Sequence, residues 1–180
     1  MNIYDIDLFD PVECDLEAYQ NTYTLAPELW GKFKIDDLVN VDFSKWESIK
    51  LLKNGAFSDE LSKISSRDGG IYVYCIEPHI IPSCGCYVMY IGKATKTQSE
   101  NLKVRVQSYH KFIDDSVSRP RLHRLFAKWG DYVYVHYLSI DANADIITAL
   151  EDRLIGAFGK PPCNAEVRAK SVKLAVRAFN

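Results

Sequence analysis

From residue 71 onward the apolar positions fall into alternating runs and helical stripes. Ile71-Tyr-Val-Tyr-Cys-Ile76 is a β-branched and aromatic run and predicts a strand. Tyr87-Val-Met-Tyr-Ile91 predicts a second strand, ended by Gly92, and Pro78, Pro82 and Gly85 mark the connection as a loop. The two strands read as an antiparallel hairpin with a long connection. Leu102, Val106, Tyr109 and Ile113 recur at helical spacing and predict a helix over 100–113, with Arg105 near the edge of its stripe. Leu122, Leu125, Phe126 and Trp129 mark another short helix over 121–129. Residues 131–140 set Tyr132, Tyr134 and His136 against Val133, Val135 and Tyr137, the period of a third strand. The clearest helix runs from Ala144 to Phe158 and stops at Gly159, before the extended turn forced by Pro161-Pro162. Val167 to Phe179 reads as a final basic helix.

The first part of the chain is harder to read. Pro11, Pro27 and Gly31 interrupt any long period in residues 1–40. Ser44-Lys-Trp-Glu47 fits a capping box, and Trp46, Ile49 and Leu52 follow at helical spacing. Asn54-Gly55 would then stop that helix, and Ser58 would cap a second carrying Leu61 and Ile64. The expected fold is α+β: a small central antiparallel sheet of about three strands flanked by helices. Residues 1–66 would be an acidic, mainly helical extension packed on the core formed by residues 67–180.

A length of 180 residues with 47% hydrophobic composition supports one domain with a real core. No run of eighteen apolar residues predicts a membrane-spanning helix. The acidic start, Met1-Asn-Ile-Tyr-Asp-Ile-Asp7, lacks the pattern of a secretion signal, so a cytoplasmic location is expected. The five cysteines, Cys14, Cys75, Cys84, Cys86 and Cys163, are then expected to be reduced thiols. Cys84-Gly-Cys86 invites a zinc reading, but no second pair accompanies it, and a metal role is not expected for these cysteines. The net charge of −2 hides an asymmetry: residues 1–66 hold 13 acidic and 6 basic side chains, net −7, whereas residues 67–180 hold 11 and 16, net +5. The larger part can therefore face a polyanion, although scatter of surface charge also accounts for such a split.

Three features carry candidate chemistry. Gly70-Ile71-Tyr72 and Tyr90-Ile91-Gly92 each join a tyrosine to a glycine near a strand end, where glycine permits close approach of backbone or ligand. Either triplet alone is better explained as strand punctuation. Lys93 follows the second triplet, and Lys103 and Arg105 lie on the next helix, a gathering of cations suited to phosphate or simply to solvent. Glu151 falls four residues after Ile147 and three before Leu154, on the apolar side of its helix, where a carboxylate needs a partner or a metal.

Taken in order, Gly70-Ile-Tyr72, Tyr90-Ile-Gly92-Lys93, Arg105 on the following helix, Glu151 on a later helix and Asn164 after a Pro-containing turn resemble the GIY-YIG nuclease superfamily. The resemblance covers about residues 69–165. One departure is the seventeen residues between Tyr72 and Tyr90, which an inserted loop, as in some restriction-type members, would explain. The resemblance implies hydrolysis of a DNA phosphodiester by water with one divalent cation, Mg²⁺, for which Mn²⁺ can substitute. It implies that Tyr90 is the general base, that Tyr72 orients the water and that Lys93 favours the phenolate of Tyr90. A free tyrosine, with a pKa of about 10, is a poor base without such help. By the same resemblance Arg105 clamps the scissile phosphate, Tyr109 or His110 contacts a phosphate oxygen or the water, Glu151 is the protein ligand of the metal, and Asn164 steadies the site. Lys93, Lys103, Arg105, Arg121 and Arg124 would line the nucleic acid. DNA is the expected partner, RNA stays open, and a homodimer is one assembly the resemblance allows.

Two other classes remain. The chain could be a nucleic-acid-binding or regulatory module on the same fold, which would have no need of all five motif residues. It could also be a protein-interaction factor whose acidic residues 1–66 cover the basic cleft, although a solvated helical cap is the plainer reading. No zinc finger or helix-turn-helix is visible, so any specificity falls to loops such as 77–86 and 114–121.

Overall fold

The computed structural model describes residues 43–81, 85–113 and 117–164. Residues 1–42 and the stretch expected to form a basic helix at 167–179 lie outside the described residues, as does Cys84. The described chain is α+β. Its sheet has four antiparallel strands in the order β1-β6-β4-β5, where β1 is Glu47–Lys50, β4 Gly69–Ile76, β5 Tyr87–Ala94 and β6 Val133–Ile140. The intervening β2 (Leu52–Lys53) and β3 (Ala56–Phe57) form a separate small hairpin. Three helices accompany the sheet: α1 (Leu102–Gln107), α2 (Pro120–Trp129) and α3 (Ala144–Ala157).

The strands expected at 71–76, 87–91 and 131–140 are present, and β4 and β5 pair as the expected hairpin. The fourth strand corrects the reading of residues 44–52 as a helix. Short apolar runs fit either period, and here the free backbone edge of β6 decides: Glu47 to Lys50 pair with Tyr137 to Tyr134. Ile49 and Leu51, two residues apart, are both buried. Asn54 and Gly55 do not stop a helix but form the tight turn between β2 and β3, with φ of 53° and 76°. A two-residue hairpin turn needs positive φ at both positions, the same property that makes this dipeptide a helix stop. Ser58 does cap the next turn, accepting from Glu60 N at 3.3 Å, but the turn is a 3₁₀ helix over Asp59–Lys63 that buries Leu61, with Ile64 buried just beyond it.

The helix expected over 100–113 is also broken. Asn101 caps α1 through a bond from Val104 N, and α1 ends at Gln107. Ser108 Oγ donates back to Arg105 O at 2.7 Å, and a 3₁₀ turn follows over His110–Ile113. A serine that bonds to the preceding turn competes with the regular ladder.

The alternation of β4 builds two cores, one on each face of the sheet. Ile71, Val73 and Cys75 meet Ile91, Leu138 and Ile140 under Ile147, Leu150 and Ile155 of α3. Tyr72 and Tyr74 point to the other face, among Tyr90, Tyr109, Tyr137, Leu102, Val106, Leu122 and Phe126. β4 lies between two strands and is buried along almost its whole length. A register shift between Tyr74 and Cys75 inserts Met89 as an extra residue in β5. Without this bulge Tyr90 and Val88 would lie on one face. The regular register up to Tyr74 and Tyr90 already sets Tyr90 among the tyrosines, and the bulge turns Val88 to the α3 side.

Candidate active site

Two glycines set the spacing of the tyrosine face. Gly92 stands across from Tyr72, and a Cβ there would lie 2.4 Å from the Tyr72 hydroxyl, so the ring rests directly over the glycine. Gly70 has φ of 154°, and a Cβ there would lie 2.0 Å from Leu138 O, so only glycine lets β6 close on β4. The two motif glycines are therefore steric requirements of the packed sheet, more than punctuation.

Tyr72, Tyr90 and Tyr109 share one hydroxyl junction. Tyr72 donates to the Tyr109 hydroxyl at 2.8 Å, and the Tyr90 and Tyr109 hydroxyls are 2.9 Å apart. Each hydroxyl has one proton, so Tyr109, accepting from Tyr72, can pass its own proton to the Tyr90 oxygen. Tyr74, which the sequence did not single out, completes the cluster by stacking on Tyr90 and donating to Val106 O at 3.4 Å. Burial pushes Tyr72 and Tyr74 well above the usual phenol range. Burial also raises Tyr90, with Tyr109 and Glu151 adding to the shift and Arg119 opposing it.

Arg105 borders this junction, its guanidinium 5.6 Å from the centre of the Tyr109 ring and 3.8 Å from Glu100. Burial opposes its charge, but Tyr109, Tyr72 and Glu100 more than offset that and hold the guanidinium firmly protonated. Its Nε is buried and has no hydrogen-bond partner among the described residues.

Glu151 is buried on α3 at 9% exposure, as its place in the apolar stripe implies. Lys93 reaches it: Nζ stands 3.4 Å from Glu151 Oε2 and 2.5 Å from Thr148 Oγ1. Lys93 pairs across from Ile71, on the α3 face, so it serves Glu151 and not Tyr90. The cation that acts on Tyr90 is Arg119, which the sequence reading missed because it precedes the first helical residue of α2, outside every motif.

Around the edge of β5 a pocket of about 480 Å³ brings Tyr90, Glu151, Asp152 and Asn164 together with Arg119 and Arg121. Asn164 is buried and closes the outer edge of β5: its Oδ1 accepts from Ile91 N at 3.0 Å and its Nδ2 donates to Ile91 O at 2.8 Å. One side chain thus satisfies both backbone groups of the residue between Tyr90 and Gly92, extending the bond from Cys163 N to Met89 O. Arg121 in turn donates to the carbonyls of Pro162 and Asn164.

The remaining sequence candidates lie apart. His110 stacks on Phe57 at 4.6 Å, so of the pair Tyr109 and His110 only Tyr109 enters the hydroxyl junction. Lys103 sits half-exposed on α1, and Arg124 is exposed on α2. Tyr72 and Arg105 do not line the pocket, and Tyr90 is the residue common to both groups.

A second cluster was not foreseen. Cys75, Cys86 and His136 bring their donor atoms within 4.8 Å of one another, on the α3 face of the sheet. Its signal in the sequence was spread over three elements, so no local spacing revealed it. Among the described residues no helix is long and apolar enough to cross a membrane. Compared with protein-family models, curated proteins and solved structures, the chain matches none.

Proposed function

We propose that the chain is a metal-dependent endonuclease that hydrolyses DNA phosphodiester bonds, as its resemblance to the GIY-YIG superfamily implies. One observation carries the reading: three tyrosines far apart in sequence share a hydroxyl junction that borders Arg105 and opens, through Tyr90, on the pocket of Glu151. An aromatic core needs no such convergence of hydroxyls with a guanidinium and a buried carboxylate.

The chemistry needs a positioned water, a group to take its proton and positive charge around the phosphate. Tyr90, at the pocket wall, would meet the water, and the chain from Tyr72 through Tyr109 would donate to its oxygen as a proton leaves. Arg119 favours the phenolate from the pocket side. Arg105, whose Nε lacks a partner, offers its planar fork to a phosphate. Lys93, itself held by Thr148, pairs with the Glu151 carboxylate. A buried carboxylate facing a polar pocket with Asp152 fits Mg²⁺, which takes one or two carboxylates and keeps several waters. Bound at Glu151, Mg²⁺ would neutralise phosphate charge and make water more acidic.

A binding module is the second reading, and the upward shift of Tyr90 favours it, because that shift leaves even less phenolate at neutral pH to take a proton from water. Cleavage assays separate the two. Plasmid, branched and single-stranded DNA should be cut with Mg²⁺, and Arg105→Ala and Glu151→Gln should each lower the rate by roughly 10²-fold or more. Wild-type protein that leaves all three substrates intact with both Mg²⁺ and Mn²⁺ refutes the nuclease.

A further inference from the structure

We propose that Cys75, Cys86 and His136 form a second metal site, selective for a thiophilic divalent cation of the zinc class and independent of Glu151. Cys75 lies near the end of β4, Cys86 immediately before β5, and His136 on the neighbouring β6. Their donor atoms all fall within 4.8 Å of one another. In tetrahedral zinc, with sulfur at about 2.3 Å and nitrogen at about 2.0 Å, ligand atoms stand roughly 3.5 to 3.8 Å apart, so small side-chain movements close the set. Two sulfurs and an imidazole are soft donors, which disfavour Mg²⁺ and favour zinc.

The surroundings fit a ligand set. Glu77 Oε1 lies 2.5 Å from His136 Nε2, the carboxylate–histidine pairing that fixes the ring of a metal-bound histidine. A hydrogen bond from the Cys75 thiol, and then His136, pull the Cys86 thiol down towards thiolate, while the same bond and burial push Cys75 up. The Cys86 bond and then Glu77 raise His136 despite partial burial. One thiolate is thus already favoured, and a cation would displace the second proton.

The placement gives the site a task. Cys75 and Cys86 bracket the long β4–β5 connection, whose start is also held by Glu77 N on Tyr132 O at 2.9 Å and by His79 against the Tyr134 ring. A cation joining both ends of the connection to β6 would staple it to the sheet. Three protein ligands leave a fourth position for water.

The test uses Co²⁺ as a spectroscopic stand-in, added to the full chain after reduction and removal of metal with a chelator. The expected result is a saturable thiolate-to-cobalt absorption band with tetrahedral visible bands, abolished by excess Zn²⁺. Cys86→Ser, at an exposed position that leaves folding intact, should remove most of the thiolate band. Glu77→Gln should weaken binding by about 10- to 100-fold while keeping the band at saturation. Glu151→Gln should leave the band unchanged, which separates this site from the proposed nuclease metal. Absence of the band in wild-type protein overturns the proposal. So does a band that survives Cys86→Ser, or a Cys75–Cys86 disulfide in protein purified without oxygen.

Discussion

Gly92→Ala tests whether the tyrosine face is set by the glycine beneath it. The new methyl would stand 2.4 Å from the Tyr72 hydroxyl oxygen, 2.5 Å from Cζ and 2.8 Å from Cε2. Carbon contacts are comfortable only from about 3.5 Å, so the ring must retreat by roughly 1 Å. Tyr72 is fully buried and packs against the rings of Tyr74, Tyr90 and Tyr109, so it has no free space to retreat into. Overpacking of this kind costs about 1–3 kcal/mol. Lifting the Tyr72 hydroxyl off Tyr109 leaves a buried donor unpaired, a further ~1–3 kcal/mol. The expected loss of about 2–6 kcal/mol is a large share of the roughly 5–15 kcal/mol that stabilises a domain. Urea unfolding followed by intrinsic fluorescence reads it as a fall in midpoint at unchanged slope. Gly55→Ala is the control: nothing lies within 4 Å of its Cβ, so only its positive φ contributes, at about 1 kcal/mol. Adding Tyr72→Leu to Gly92→Ala removes the clashing ring atoms, and the double variant should lose less than the sum of the singles. A Gly92→Ala protein within about 0.5 kcal/mol of the parent, or strict additivity in the double variant, refutes the reasoning.

Tyr109→Phe removes the hydroxyl that serves both Tyr72 and Tyr90; Tyr90 can turn to pocket water but Tyr72 cannot, so urea unfolding should show a loss of about 1–3 kcal/mol. Because Tyr72, Tyr74 and Tyr90 are all raised above their ordinary value, their stabilising contribution is complete below pH ~10 and falls above it, by ~4 kcal/mol per pH unit for the three together. Tyrosinate absorbance should therefore appear in step with loss of fold in alkali, and smooth titration of all tyrosines in folded protein would contradict this. Burial pushes the Cys163 thiol up to about 12, leaving roughly one thiolate in ten thousand at pH 8, whereas Cys86 is exposed and lowered. Mass spectrometry after brief alkylation should find Cys86 modified well before Cys163.

Much of the architecture was legible because its signals are local. The alternation of residues 133–140 and the stripe of α3 each fix which side faces a core, whatever the rest of the chain does. The same periodicity marked Glu151 as a carboxylate on an apolar face, and its burial bears that out. The fourth strand was not legible, since Ile49, Leu51 and Leu52 satisfy either period and only the open edge of β6 selects β1. The junction of Tyr72, Tyr90 and Tyr109 depends on the pairing of Tyr72 with Gly92 and of Tyr74 with Tyr90, and the register of two strands leaves no trace in composition. Lys93 stands beside Tyr90-Ile-Gly92 in sequence, yet its alternation in β5 sends it to Glu151, while Arg119, from another element, shares the pocket that Tyr90 lines.

Local pattern was therefore enough for the strands and helices with strong periods and for the face of their apolar side chains, but it pointed neither to Arg119 nor to the cluster of Cys75, Cys86 and His136. The tertiary structure alone decided which residues meet, because meeting depends on strand order, register and the closure of chain segments far apart in sequence. Gly92 states the difference most simply. Along the chain it ends an apolar run; in the fold it stands across from Tyr72, where the absence of a side chain leaves room for the outer end of the tyrosine ring.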